Sequence, residues 1–306
     1  VITRTYRITD ACGNFSTINH TINVDDTIAP SFSCPSNINQ AADSGQNYAT
    51  IVIAIPTVTE ACGSYTLTNN YTGTSNASGQ YPIGTTTVTY TATDTCGNIR
   101  TCNFTVTVGD TQAPTMTCPP TITIQCQSNI PAIYASYTEF VNAGGSAFDN
   151  DGIDQSSFAL VSQTSDGNIC PETISRIYTI SDTNGNATTC TQQIIIDDNT
   201  NPTITGTITT TNVEGCGVSA APAAVTTVAA LEALTGNPAI SDNCTADASL
   251  VVTSTQTSTS TCPIVITRTY TITDACGNFS TINHTINVDD NTNPTITGTI
   301  TTTNVE

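Results

Sequence analysis

Cysteine and aspartate are the residues of this 306-residue chain whose types and spacing could do chemistry. Its 13 cysteines include no Cys-x-x-Cys and no Cys/His grouping of zinc spacing. The chemistry they offer is therefore disulfide formation, which implies an oxidising, extra-cytoplasmic compartment. Carboxylates gather as Asp25-Asp26, Asp197-Asp198 and Asp289-Asp290, with Asp110 standing alone at a fourth such place. Calcium takes about six to eight oxygens, which such aspartates could supply together with a turn aspartate and backbone carbonyls. The spacing matches no EF-hand loop or glycine-rich nonapeptide, and the alternative is a solvated acidic linker. The two histidines, His20 and His284, hold one repeated position on a run read as outward-facing. They suit neither a catalytic triad nor a metal cluster, so no catalytic residue is expected and the chain reads as no enzyme.

These residues recur because the chain is a repeat array. Residues 265–290, VITRTYTITDACGNFSTINHTINVDD, already stand at 1–26 with only Arg7 in place of Thr271, and weaker copies occupy 85–110 and 173–198. A second string, DDNTNPTITGTITTTNVE, occurs at 197–214 and again at 289–306. Cutting at the acidic junctions gives the C-terminal part of one repeat (1–26), three whole repeats (27–110, 111–198, 199–290) and the N-terminal strand region of another (291–306). The start inside a strand without Met reads as a window on a longer polypeptide.

In residues 265–290, Ile266, Tyr270 and Ile272 alternate with threonines, and Ile282, Ile286 and Val288 alternate with Asn283, Thr285 and Asn287. Period-two runs around Asp274-x-Cys276-Gly277-Asn278 predict a β-hairpin, Gly277 taking positive φ and Asp274 accepting from turn amides. Threonine-rich outward positions and the lack of any long helical pattern predict an all-β protein. Short helices are expected only near residues 137–142 and 225–234. Tyr6, Tyr90, Tyr178 and Tyr270 share one strand position and are expected to pack in a core, and Arg4, Arg176 and Arg268 to cover a sheet edge or pair with an acid.

Aligning the repeats by their turn motif sorts the cysteines into three kinds of pair. Cys34 is matched with Cys102 and Cys118 with Cys190, where the third repeat has Gly206 and Ile282. Cys126 is matched with Cys170 and Cys216 with Cys262, near whose places the first repeat has Ala42 and Tyr81. Cys62 is matched with Cys96 and Cys244 with Cys276, where the second repeat has Asp151 and Asn184. Both members of a kind vanish together, and Cys12 is left for a partner upstream. Bridges matter here because a domain of this size has a core only just sufficient for folding.

Lysine is absent, arginine occurs five times and the formal charge is −19, which excludes nucleic-acid binding. Without lysine the segment also forms no Lys-Asn isopeptide cross-link, and it has no apolar run long enough for a membrane span.

In the first whole repeat, Ala29-Pro30, Cys34-Pro35, Glu60-Ala61-Cys62-Gly63, Tyr81-Pro82-Ile83-Gly84, Tyr90, Asp94, Gly97-Asn98 and Cys102 resemble a hyalin repeat (HYR) domain. The other repeats, with Ser241-Asp242-Asn243-Cys244 and Asp274-Ala275-Cys276-Gly277-Asn278, resemble repeats of giant Bacteroidota surface proteins of the SprB type. The resemblance implies tandem immunoglobulin-like β-sandwiches forming an elongated rod, exported by type IX secretion to the cell surface. It implies an adhesive or spacing role, with attachment and gliding motility as the activity. The alternatives are a static coat or filament subunit, or a spacer presenting a glycan-binding or enzymatic domain. The partners expected are neighbouring repeats of the same chain and surface or glycan ligands.

Overall fold

A computed structural model describes residues 1–301 and 303. The chain is all-β, and its residues fall into two compact units, Val1–Met116 with Ala147–Ser157 and Ile180–Thr188, and Thr117–Ser146 with Phe158–Thr179 and Thr189–Glu306.

The first unit contains a complete immunoglobulin-like sandwich. Its larger sheet centres on the hairpin of strands Gly84–Asp94 and Ile99–Gly109, in register Tyr90↔Cys102. Ile38–Ala41 joins one edge in parallel and Tyr65–Asn69 the other edge antiparallel. The smaller sheet pairs Tyr48–Ile51 with Gly79–Pro82. Alternation sends Val88 and Tyr90 inward with Phe104 and Val106, where they meet Ile51 and Tyr81 of the smaller sheet. Threonines occupy the opposite face, as a period-two pleat requires. This unit also holds the hairpin Ile2–Thr9 with Phe15–Ile22, in register Tyr6↔Ile18.

The second unit repeats the plan. The hairpin Ile264–Thr273 with Phe279–Asp289 pairs Tyr270 with Ile282. Thr211–Glu214 runs parallel to Phe279–Asp289 at one edge, and Val251–Ser258 closes the other. A small sheet of Thr203–Thr205 and Ala239–Ser241 faces it, and Tyr270, Ile272, Val252 and Ile240 pack with Leu231 between them. Most of a further sheet lies here too, in the order Ile122–Ile124, Ala187–Ile196, Glu172–Asp182, Ile153–Ser165. The two expected short helices are Tyr137–Asn142 and Val228–Glu232, capped by Ser136 and Thr227, whose hydroxyls accept from the amides of Glu139 and Ala230. Phe140 and Leu231 plug the helices into their cores.

Tyr90, Tyr178 and Tyr270 are buried, as core packing requires, whereas Tyr6, in the two-stranded sheet of Ile2–Thr9 with Phe15–Ile22, is 49% exposed. Other expectations need correction. His284 is not outward-facing: it lies at even spacing with Ile282, Ile286 and Val288, and the strand's pleat carries it inward to 4% exposure. Its Nε2 meets the Thr211 hydroxyl at 2.8 Å. Arg176 and Arg268 are buried rather than covering an edge. Arg176 donates to Gln163 Oε1 and to the carbonyls of Pro131 and Ala132, and Arg268 donates to Gln256 Oε1. Of the strand region expected at 291–306, residues 291–301 carry no strand, and 302 and 304–306 lie outside the described residues.

Burial holds the His284 pKa below its ordinary value of 6.5, and the nearby Arg268 charge pushes the same way. A depressed folded-state pKa means that the stability it contributes is complete above the unfolded value and is lost as pH falls through the folded one. The urea midpoint of the chain should therefore drop as pH is lowered below that ordinary value, and His284→Gln should flatten this part of the profile. An unchanged profile in the variant would refute the assignment.

Candidate functional site

The site is assembled from one local device. In the turn of the Ile264–Thr273 hairpin, Asp274 Oδ1 accepts the amides of Cys276 and Asn278, each at 2.8 Å, and its Oδ2 accepts from Asn278 Nδ2 at 2.8 Å. Gly277 turns the chain at φ +93°, which glycine adopts without steric cost. Asp94 and Asp182 hold their turns in the same way. The Asn at the turn's end then reaches the backbone preceding its own repeat: Asn98 Nδ2 donates to the Asp26 carbonyl at 3.0 Å and Asn278 Nδ2 to the Asp198 carbonyl at 2.8 Å. Asn186 makes the matching contact with Asp110 at 3.4 Å.

A second loop uses the same acceptor geometry. Glu60 Oε1 accepts the Cys62 amide, Asp149 Oδ1 the Asp151 amide and Asp242 Oδ2 the Cys244 amide, each at 2.9 Å. Thr95 N donates to the Ser64 carbonyl at 3.2 Å and Thr183 N to the Gly152 carbonyl at 3.3 Å, so this loop lies against the hairpin turn.

The result is a carboxylate triad at each of three junctions: Asp26, Glu60 and Asp94; Asp110, Asp149 and Asp182; Asp198, Asp242 and Asp274. Within each triad one oxygen per residue lies within 4.8 Å of the others. Asp94, Asp182, Asp198 and Asp274 are buried. Oδ2 of Asp26, Oδ2 of Asp198 and Oδ1 of Asp242 are buried with no hydrogen-bond partner. At Asp94 and Asp182 burial pushes the carboxyl pKa up, but the donors of the turn outweigh it and hold each below its ordinary value, so these groups are charged at neutral pH. Three crowded carboxylates with oxygens left unsatisfied repel one another unless a cation lies between them. A set made only of carboxylate and carbonyl oxygens suits a hard divalent cation of the calcium type.

Of the aspartates singled out from the sequence, Asp26, Asp110 and Asp198 enter the triads. Asp25, Asp197, Asp289 and Asp290 enter none among the described residues. Asp289 and Asp290 instead accept from the thiols of Cys262 and Cys216, at 3.4 and 3.2 Å. Sequence reasoning missed Glu60, Asp149 and Asp242. The available signal was an acid two residues before a cysteine column, the spacing already noticed at Asp274-x-Cys276.

The structure bonds Cys34 to Cys102 and Cys118 to Cys190. The remaining pairing needs correction. Cys126 is bonded to Cys244 and Cys170 to Cys276, with Cα separations of 5.1 and 5.2 Å, so both bridges leave the middle repeat for the next one. Neither Cys126–Cys170 nor Cys244–Cys276 forms, and Cys62, Cys96, Cys216 and Cys262 are unbonded and exposed, as is Cys12. The reason lies in which loops the fold brings together: Cys126 and Cys170 flank strands on either side of Ala187–Ile196, and each meets a cysteine of the following repeat within disulfide reach.

Comparisons with known proteins define the class of repeat. Residues 25–108 match the HYR domain, and residues 218–288 match the HYR-like domain with 4 cysteines. Hyalin of Strongylocentrotus purpuratus is 38% identical over 141 residues, covering 44% of this chain and 12% of that protein. Hyalin of Lytechinus variegatus is 31% identical over 140 residues, covering 44% of this chain and 26% of that protein. The chain thus spans about a quarter or less of the length of these relatives. Among solved structures, protocadherin gamma B2 extracellular cadherin domains 1-5 align with 9% identity and a TM-score of 0.38, over 95% of this chain and 72% of that one. Two stretches of the chain are thus similar to HYR-type domains, and part of the chain is similar to hyalin.

Non-reducing digestion of the oxidised chain should release linked peptides for Cys126 with Cys244 and Cys170 with Cys276. Each closes a loop of more than 100 residues, so in the chain-entropy model each contributes about 4 to 5 kcal/mol. Cys244→Ser should lower the unfolding free energy by that order, and linkage within the Cys126 and Cys170 pair would refute the connectivity.

Proposed function

We propose that this chain is a structural segment of a secreted, cell-surface adhesive protein, a stalk or filament with no catalytic activity of its own. The observation that carries the reading is the recurrence of one carboxylate triad at three successive junctions. An enzyme has no need to repeat a site at each domain boundary, whereas a tether must resist bending at every one of them. In this reading the repeats run 27–110, 111–198 and 199–290, flanked by parts of two others. Adhesion-type HYR repeats and disulfides support an extracellular location.

Within that role, each triad holds a calcium ion. Asp198, Asp242 and Asp274 would bind it at the junction before the third repeat, and the ion would cancel the repulsion that otherwise loosens the junction. The finer reading is a bacterial gliding adhesin, supported by the resemblance of the repeats to giant Bacteroidota surface proteins.

Living producer cells labelled with a fluorescent antibody fragment against one repeat should show surface signal without permeabilisation. Foci that move along the cell while it advances support gliding, a fixed even coat supports a static filament, and label seen only after permeabilisation overturns the extracellular reading. Calcium at about a hundred times its dissociation constant should add roughly 2.7 kcal/mol to stability. The thermal midpoint should rise on calcium addition, fall with a chelator, and lose part of this response in Asp242→Asn. A midpoint indifferent to calcium would remove the ion from the proposal while leaving the adhesive role to the labelling experiment.

A further inference from the structure

Four of the five unbonded cysteines, Cys62, Cys96, Cys216 and Cys262, match, pair for pair, the four that form the bridges between the middle repeat and the next. Cys216 follows the strand Thr211–Glu214 as Cys126 follows Ile122–Ile124, and both of those strands run parallel to the exit strand of their repeat. Cys262 precedes its hairpin at Pro263 as Cys170 does at Pro171. Cys216 and Cys262 therefore stand on opposite sides of the exit strand Phe279–Asp289, where Glu214 pairs with Asp289 and Ile264 with Val288. On the other side of the comparison, Cys62 and Cys96 have their amides held by Glu60 and Asp94, as Cys244 and Cys276 have theirs held by Asp242 and Asp274.

We propose that Cys216 with Cys262, and Cys62 with Cys96, are the two complementary halves of a double disulfide clamp by which one HYR-type repeat grips the next. Cys126–Cys244 and Cys170–Cys276 are its closed form. The first-to-second junction shows the rule in its absence. The first repeat has no cysteine at the donor half, with Ala42 and Tyr81 near its places, and the second has Asp151 and Asn184 where the acceptor half would stand. There Asn184 Nδ2 donates to Asp151 Oδ2 at 2.7 Å, so the two acceptor-side positions of the second repeat bind each other.

The occupant of the Cys216/Cys262 half is a repeat of the third repeat's type, bearing cysteines two residues after its two loop acids. Residues 289–306 support this choice because they copy 197–214, which lead into such a repeat. Each bond joins two thiols, which release two protons and two electrons. A disulfide oxidant such as oxidised glutathione accepts them and leaves as two glutathione thiols.

The test extends the full chain beyond Glu306 by a second copy of residues 215–290, which completes a fourth repeat, and oxidises both chains in glutathione buffer. In the extended chain, digestion without reductant should link Cys216 to the added copy of Cys244, and Cys262 to the added copy of Cys276. In the parent chain both thiols should remain open to alkylation or carry glutathione. Persistence of the Cys126–Cys244 and Cys170–Cys276 linkages reports that the extended chain has folded. The proposal is overturned if Cys216 and Cys262 stay alkylatable in a folded extended chain. A bond of Cys216 to Cys262, or of Cys62 to Cys96, in the parent chain would overturn it independently of how the extension folds. These readouts are covalent linkages, so they are separate from calcium binding and from adhesion.

Discussion

A carboxylate that accepts the backbone amide two residues further on is the interaction on which the rest of this structure depends. At Glu60, Asp94, Asp242 and Asp274 it fixes a tight loop whose next side chain but one is a cysteine. The same acid keeps an oxygen for its neighbours. One hydrogen-bonding habit thus places carboxylates and sulfurs side by side at the start of a repeat, and the turn asparagine ties both to the backbone arriving from the repeat before. A single piece of loop geometry positions both the acid oxygens and the sulfurs.

The rest of each sandwich serves that end. Small β domains bury limited apolar surface, so a core built from residues such as Tyr81, Tyr90 and Phe104 benefits from covalent support. Cys34–Cys102 and Cys118–Cys190 supply it inside a repeat. Cys126–Cys244 and Cys170–Cys276 supply it between one repeat and the next. A pair of bonds flanking the exit strand constrains rotation as well as separation, which one bond could not do.

Much of this was legible because a period of two survives in plain text. The hairpins, their Asp-x-x-Gly-Asn turns, the buried tyrosines and the bridges Cys34–Cys102 and Cys118–Cys190 follow from alternation, turn chemistry and repeat alignment. The other bridges did not follow, for a definite reason. A repeat that loses both Cys126 and Cys170 equivalents looks the same whether the two bond to each other or both bond to the next repeat. Parity was misjudged at His284, which shares the face of Ile286, and the missed triad members Glu60 and Asp242 stood two residues before a cysteine that drew attention to itself.

By itself the sequence determined the strand pattern, the acidic charge, the repeat unit and the chemical types available at each junction, since these depend on local spacing. Only the tertiary structure decided which of those residues meet. Asp25 and Asp26 are neighbours in sequence, yet only Asp26 joins Glu60 and Asp94 in a triad. Likewise Cys126 bonds Cys244 rather than Cys170, because the fold brings the distant loop holding Cys244 to a Cα separation of 5.1 Å. Burial and bonding depend on what the rest of the fold brings up against a residue, and no local pattern carries that information.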